Sequence, residues 1–190
     1  MPYFIKSLEA TNFKSFEKID VKFDSLNVLV GASGKSNFVT IFKFLKDIAI
    51  FGLEDALVMN GGIESIQNMR SSPSNQSEMS ISITFWSPKE QRVMSAEATI
   101  DGVNRLVSIA PHEITYKIKL NYTKNKNSYH ITFEGAEFSS KFSEIKLPDE
   151  SGDKNKQKHR HPPEIFIGQG KISFYFNETG KLNYEPLINR

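Results

Sequence analysis

Leu26-Asn27-Val28-Leu29-Val30 runs into Gly31-Ala32-Ser33-Gly34-Lys35-Ser36-Asn37, and the reading of this stretch decides the fold. A short apolar run bounded by turn residues reads as a strand buried on both faces. Beyond it, Phe38, Ile41, Phe42, Leu45, Ile48 and Ala49 recur at spacings of three and four, while Lys43, Lys46 and Asp47 fall largely on the other side. That spacing predicts an amphipathic helix from Ser36 to about Phe51, stopped by Gly52. Strand, glycine turn and helix together form the setting of a phosphate-binding loop. There, backbone N–H groups and the positive end of the helix cradle phosphate oxygens. Lys35 would reach the β- and γ-phosphates as a point charge, and the Ser36 hydroxyl would hold Mg²⁺.

The loop is short. The motif G-x-x-x-x-G-K-[ST] places four residues between its glycines, and only Ala32 and Ser33 separate Gly31 from Gly34. So short a connection cannot fold a nest of inward-pointing amides around a phosphate. Two expectations stay open. Either two residues are wanting at the junction of Ala32 and Ser33, and Gly31, Ser33, Gly34, Lys35, Ser36 and Asn37 bind a nucleotide; or the chain has lost phosphate binding, and the turn links one element to the next.

Composition narrows the classes around that loop. With 190 residues, 38% hydrophobic and 12% aromatic, the chain can bury a core of one large or two small domains. A net charge of +2 gives no compositional argument for nucleic acid or membrane binding. The absence of cysteine excludes disulfides and thiolate metal sites. The start, Met1-Pro2-Tyr3-Phe4-Ile5-Lys6, lacks the apolar core of a signal peptide, and no run approaches the ~20 apolar residues of a membrane span. The expectation is a cytoplasmic protein with no membrane partner.

Upstream of the loop, residues 3–16 read as a strand and turn, and Ile19, Val21 and Phe23 alternate with Asp20 and Lys22 as a second, half-exposed strand. Leu8-Glu9-Ala10-Thr11-Asn12-Phe13-Lys14-Ser15-Phe16, then a short strand, then the loop is similar to the opening of ABC-type ATPases of the SMC, RecF and overcoming-lysogenization-defect group. The resemblance implies an α/β fold, the N-terminal lobe of a P-loop ATPase carrying a large antiparallel β region, with ATP and Mg²⁺ as cofactors. It implies that Lys14 and Ser15 lie near the phosphates and sugar. It also implies a homodimer closed through the nucleotide site, with possible DNA contact and a role in DNA repair, DNA maintenance or phage defence.

Past the helix, residues 53–59 continue helically to the breaker Gly61-Gly62, and such a segment also occurs in that ATPase group. Residues 70–77 are a polar loop. From residue 78 the period changes to two: Ile81, Ile83 and Phe85; Ala96, Ala98 and Ile100; Ile114, Tyr116, Ile118, Leu120 and Tyr122; Tyr129, Ile131 and Phe133. These predict antiparallel strands with one buried face, in a region spanning 78–147 and 164–190 beside a core of 1–70. The connection at residues 124–127 reads as a hairpin.

Residues 148–163 hold no large apolar side chain and read as a mobile loop. Its His159 and His161 are a weak metal pair, and its basic run at 154–160 could touch DNA phosphates. Two strands are read around Gly168-Gln169-Gly170. By the resemblance Gln169 would contact Mg²⁺ and the attacking water; by its flanking glycines it is a hairpin residue. His112 and His130 lack any nucleophile constellation.

No signature loop of the Leu-Ser-Gly-Gly kind is present, and no apolar strand ends in Asp-Glu; Lys146 and Pro148 spoil the approach to Asp149-Glu150. The catalytic residues are therefore unknown. The resemblance implies that ATP hydrolysis needs a C-terminal remainder and a second subunit. The alternative is a nucleotide-free interaction module with a degenerate, shortened loop.

Overall fold

The computed structural model describes residues 3–31, 33–68, 76–88, 94–100, 102–123, 128–145, 164–176 and 182–189. Their elements are β1 (Phe4–Phe13), β2 (Phe16–Lys22), α1 (Lys35–Phe51), α2 (Leu53–Met59), α3 (Ile63–Ile66), β3 (Gln76–Trp86), β4 (Met94–Ile100), β5 (Val103–Thr123), β6 (Ser128–Ile145), β7 (Glu164–Phe176) and β8 (Leu182–Asn189). All eight strands join one sheet in the order β2-β1-β3-β5-β6-β7-β8, with β4 also paired to β5, and every pairing is antiparallel.

The period-two pattern explains the covered part of that sheet. Met79, Ile81 and Ile83 on β3 and Ile118, Leu120 and Tyr122 on β5 point to one side and are buried. Leu8, Ala10 and Phe13 of β1 continue that side, and the helices lie over it with Ile41, Phe44 and Ile48 of α1, Leu53, Ala56 and Leu57 of α2, and Ile63 and Ile66 of α3. Each large side chain removed from water there contributes roughly 1.5–3 kcal/mol. Two layers result, three helices on one face of the sheet. Gly52 ends α1 as expected, with φ 86° and its N–H donating to the Ile48 carbonyl at 2.8 Å.

The expected α/β P-loop layout is overturned. Among the described residues the chain is mostly antiparallel sheet with few helices, all on one face, and no parallel strand pair occurs. The decisive element is residues 26–30, read as a buried strand: they carry no strand structure, and Leu26, Val28, Leu29 and Val30 are exposed. A strand buried on both faces needs neighbours on both edges, and among the described residues the sheet ends at β2, whose one partner is β1. After Phe23, whose N–H still donates to the Lys6 carbonyl at 2.9 Å, the chain turns away. That turn is fixed by Asn27, which accepts from the Asp24 N–H at 3.1 Å and donates to the Asp24 carbonyl at 2.8 Å.

Two smaller readings are also corrected. β7 is one continuous strand through Gly168-Gln169-Gly170 and not two strands with a hairpin, because β6 pairs with it on both sides of the glycines, from Tyr175 opposite Gly135 to Glu164 opposite Ile145, with one register shift between Gly168 and Phe166. On α1, Phe44 and Asp47 are buried while Ala49 is exposed. The Asp47 carboxylate is tolerated there because Asn60 Nδ2 donates to it at 2.9 Å. The expected hairpin at 124–127 and the expected loop at 148–163 lie outside the described residues.

Candidate functional site

Lys14 and Ser15 form the tip of the β1–β2 hairpin, closed by the pairing of Phe13 with Phe16. So tight a reversal forces unusual backbone angles: Asn12 and Lys14 sit at φ 53° and 48°, the non-glycine residues with positive φ among those described. Such conformations cost of order 1–3 kcal/mol each and persist where the surroundings over-determine them. Here the surroundings are the end of α3. The Lys14 N–H donates to the Ile66 carbonyl at 2.7 Å, the Asn68 N–H donates to the Asn12 carbonyl at 2.8 Å, and Phe13 bridges Gln67. Lys14 Nζ reaches the Ser65 carbonyl at 3.1 Å, and Asn12 Nδ2 reaches the Glu78 carbonyl at 2.7 Å. α3 is itself pinned to β5, since the Tyr122 hydroxyl donates to Glu64 Oε1 at 3.0 Å. Burial, and then Glu64, raise the Tyr122 pKa above its ordinary value.

The third wall is the start of α1. Gly34, at φ 87°, precedes the first turn and no side chain caps it, so the leading N–H groups keep their donor capacity. A Cβ at Gly34 would lie 3.5 Å from the Phe16 ring, an ordinary contact, so the left-handed φ and not crowding favours glycine there. Asn37 Nδ2 donates to Ser15 Oγ at 2.7 Å, which ties the helix to the hairpin tip.

These three walls enclose a cleft of about 620 Å³, lined by Lys14, Ser15, Glu17, Asn37, Ser65, Gln67 and Asn68. Of the residues expected at a nucleotide, Lys14, Ser15 and Asn37 meet in it. Gly31, Ser33, Gly34, Lys35 and Ser36 lie next to it along the chain and are not part of its lining. Lys35 Nζ is hydrogen-bonded to the Gly31 carbonyl, and Ser36 is exposed, its carbonyl accepting from Thr40 Oγ1 at 2.8 Å. Ser65, Gln67 and Asn68 were not anticipated. Their one signal was the Gly61-Gly62 pair, whose φ values of 84° and 81° turn the chain into α3 and so bring its end to the hairpin.

Gln169 is elsewhere. It pairs with Lys141 and Asn189 on β7, four strands from β1, which is about 19 Å at the usual strand spacing. Lys141 in turn pairs with Ala110, beyond the end of β5 that meets Trp86 and away from the Phe13 and Phe16 turn. Ser36 and Gln169 therefore do not form the shared Mg²⁺ site that the resemblance implied. Among the described residues no three His, Asp or Glu side chains gather as a metal site.

The lining of the cleft is polar. One lysine, two hydroxyls and three carboxamides line it, and Glu17 supplies one acceptor charge. The basic run at 154–160 lies outside the described residues. No helix among the described residues is long and apolar enough to cross a membrane. Comparison of the chain with protein-family models, with curated proteins and with solved structures gives no match.

Proposed function

We propose that the cleft between the β1–β2 hairpin tip, the end of α3 and the start of α1 binds a nucleoside triphosphate, ATP with Mg²⁺. The observation that carries this reading is the 2.7 Å bond between Asn37 and Ser15, which joins the two segments that the resemblance places at one nucleotide. The uncapped first turn of α1 adds donors for phosphate oxygens, and Lys14 in the cleft and Lys35 at the start of α1 add two cations. Mg²⁺ would come with the phosphates, and the exposed Ser36 hydroxyl is the side chain suited to complete its shell. Lys35 must leave the Gly31 carbonyl to reach a phosphate, so binding and a rearrangement of residues 31–35 go together.

Isothermal titration with ATP and Mg²⁺ tests this. Hydrogen bonds to charged groups contribute about 1.5–3 kcal/mol, so Lys14→Ala and Lys35→Ala should each weaken binding by roughly ten- to a hundredfold. Lys119→Ala, on the sheet beside Glu78 and paired with it at 3.6 Å, should leave affinity unchanged. Wild-type protein that takes up no ATP, or affinity unchanged from the wild type in both Lys14→Ala and Lys35→Ala, would overturn the proposal. The exposure of residues 26–30 favours the second reading, an interaction module with a shortened loop, and that reading requires the first of these negative results.

A further inference from the structure

Asn60-Gly61 closes α2, and it is the one place in the 190 residues where glycine follows asparagine. In that dipeptide the glycine's backbone nitrogen can attack the asparagine's side-chain carbon, because the second residue has no Cβ to stand in the way. A bond forms between Gly61 N and Asn60 Cγ, the Cγ–Nδ2 bond breaks, and Nδ2 leaves as ammonia with the proton of the Gly61 amide. Water then opens the five-membered imide on one side or the other, leaving an aspartate at position 60 or its β-linked isomer. Water is the one co-reactant.

The fold relies on both residues. Asn60 Nδ2 donates to the buried Asp47 carboxylate at 2.9 Å and to the Ala56 carbonyl at 2.8 Å. Gly61 sits at φ 84°, and a Cβ there would come within 2.8 Å of Ser65 Oγ, whose hydroxyl donates to the Gly61 carbonyl at 2.8 Å. The same contacts hold the reacting atoms apart. Both hydrogens of Nδ2 are engaged. The Gly61 N–H donates to the Val58 carbonyl at 3.1 Å, and Asn60 lies at ψ 15°, far from the angle that the imide ring imposes.

We propose that Asn60-Gly61 is a deamidation site that the folded chain keeps closed and that opens when the end of α2 comes loose. The product does not fit back into the fold. A carboxylate at position 60 stands against that of Asp47, which is buried, and like charges so close disfavour each other's ionised form. The β-linked product also inserts a methylene into the backbone just ahead of Gly61 and Gly62, whose N–H groups bond the Val58 and Leu57 carbonyls. Those glycines lead into α3, whose Ile66 carbonyl accepts from the Lys14 N–H, so damage at Asn60 reaches the hairpin tip. Time spent unfolded therefore converts part of the population irreversibly, and one dipeptide limits the working life of the protein.

Peptide mapping by mass spectrometry tests this on the full chain, held at mildly alkaline pH with and without guanidinium chloride. Conversion at Asn60 should be at least about tenfold slower in the folded chain, where reaction waits on an opening that breaks several hydrogen bonds. On dilution from denaturant, the molecules that refold should carry asparagine at position 60, and the converted ones should stay in the unfolded fraction. Asn60→Asp should lower the urea midpoint at neutral pH, and its deficit against the wild type should shrink at about pH 4, where one of the facing carboxylates takes up a proton. A variant that fails to fold agrees with the clash, and the wild-type time courses then carry the test. Equal rates in folded and unfolded chain, converted molecules that refold as readily as the original, or a midpoint unmoved by Asn60→Asp would overturn the proposal.

Discussion

Residues 26–30 and residues 79–83 are both five long and rich in aliphatic side chains, and they end in opposite environments. Met79, Ile81 and Ile83 are buried, in a strand with β1 on one edge and β5 on the other and three helices above. Leu26, Val28, Leu29 and Val30, in the more hydrophobic of the two stretches, lie in solvent. The difference is neighbours. A strand needs its amides paired before its side chains can be buried, and β3 inherits two paired edges, whereas the stretch after β2 has none among the described residues. Hydrophobicity selects which residues would gain from burial; topology decides which of them obtain it.

The widest separation between the two stretches should appear on truncation. Ile81→Ala removes a fully buried side chain from the core and should cost about 2–5 kcal/mol in urea unfolding. A loss below about 1 kcal/mol would mean that the helices do not cover β3 as described.

Next comes the polar pair inside the covered layer. Asn60→Ala strips the donor from the buried Asp47 carboxylate and should cost about 1–3 kcal/mol. Replacing both, as Asp47→Asn with Asn60→Ala, should recover part of that loss, because a neutral amide is less costly to leave buried. Additive losses in the double variant would remove the pair from the reasons α1 and α2 stay together.

Tyr116 sharpens the comparison by pH. Burial first, and then its hydrogen bond to Glu134 at 2.8 Å, push its pKa well above the ordinary tyrosine value of 10.0. The unfolded chain therefore loses this proton first, and stability should fall as pH rises above about 10, while the contribution is fully present below it. Tyr116→Phe should cost about 1 kcal/mol at neutral pH and flatten that alkaline decline. Parallel pH profiles for the two proteins above pH 10 would show that the folded-state proton is not held there.

The smallest effect belongs to the uncovered stretch. Val28→Ala should shift stability by no more than about 0.5 kcal/mol, and the amides of residues 26–30 should exchange rapidly. A loss comparable to that of Ile81→Ala would show that these residues are buried after all and would dissolve the contrast with β3.

By itself the sequence determined the elements whose reasons are local. The helix from Ser36 to about Phe51 and its stop at Gly52 follow from spacing and from a glycine's access to positive φ. The alternation at 81–85 and 114–122 gave the strands and their buried side, because a pleat assigns faces without reference to anything distant. The candidate site was legible in part for the same reason: Lys14, Ser15 and Asn37 stand out in two short motifs, whereas Gln67 and Asn68 are ordinary polar residues until α3 is laid against the hairpin. Tertiary structure alone decided that β7 runs on through the glycines, since a pair of glycines permits a turn but a partner on β6 to either side of them makes the extended path the better hydrogen-bonded one. It alone separated Gln169 from Ser36. And it alone left residues 26–30 uncovered, because whether an apolar run becomes a strand depends on hydrogen-bonding edges supplied by other segments, which no window of sequence contains.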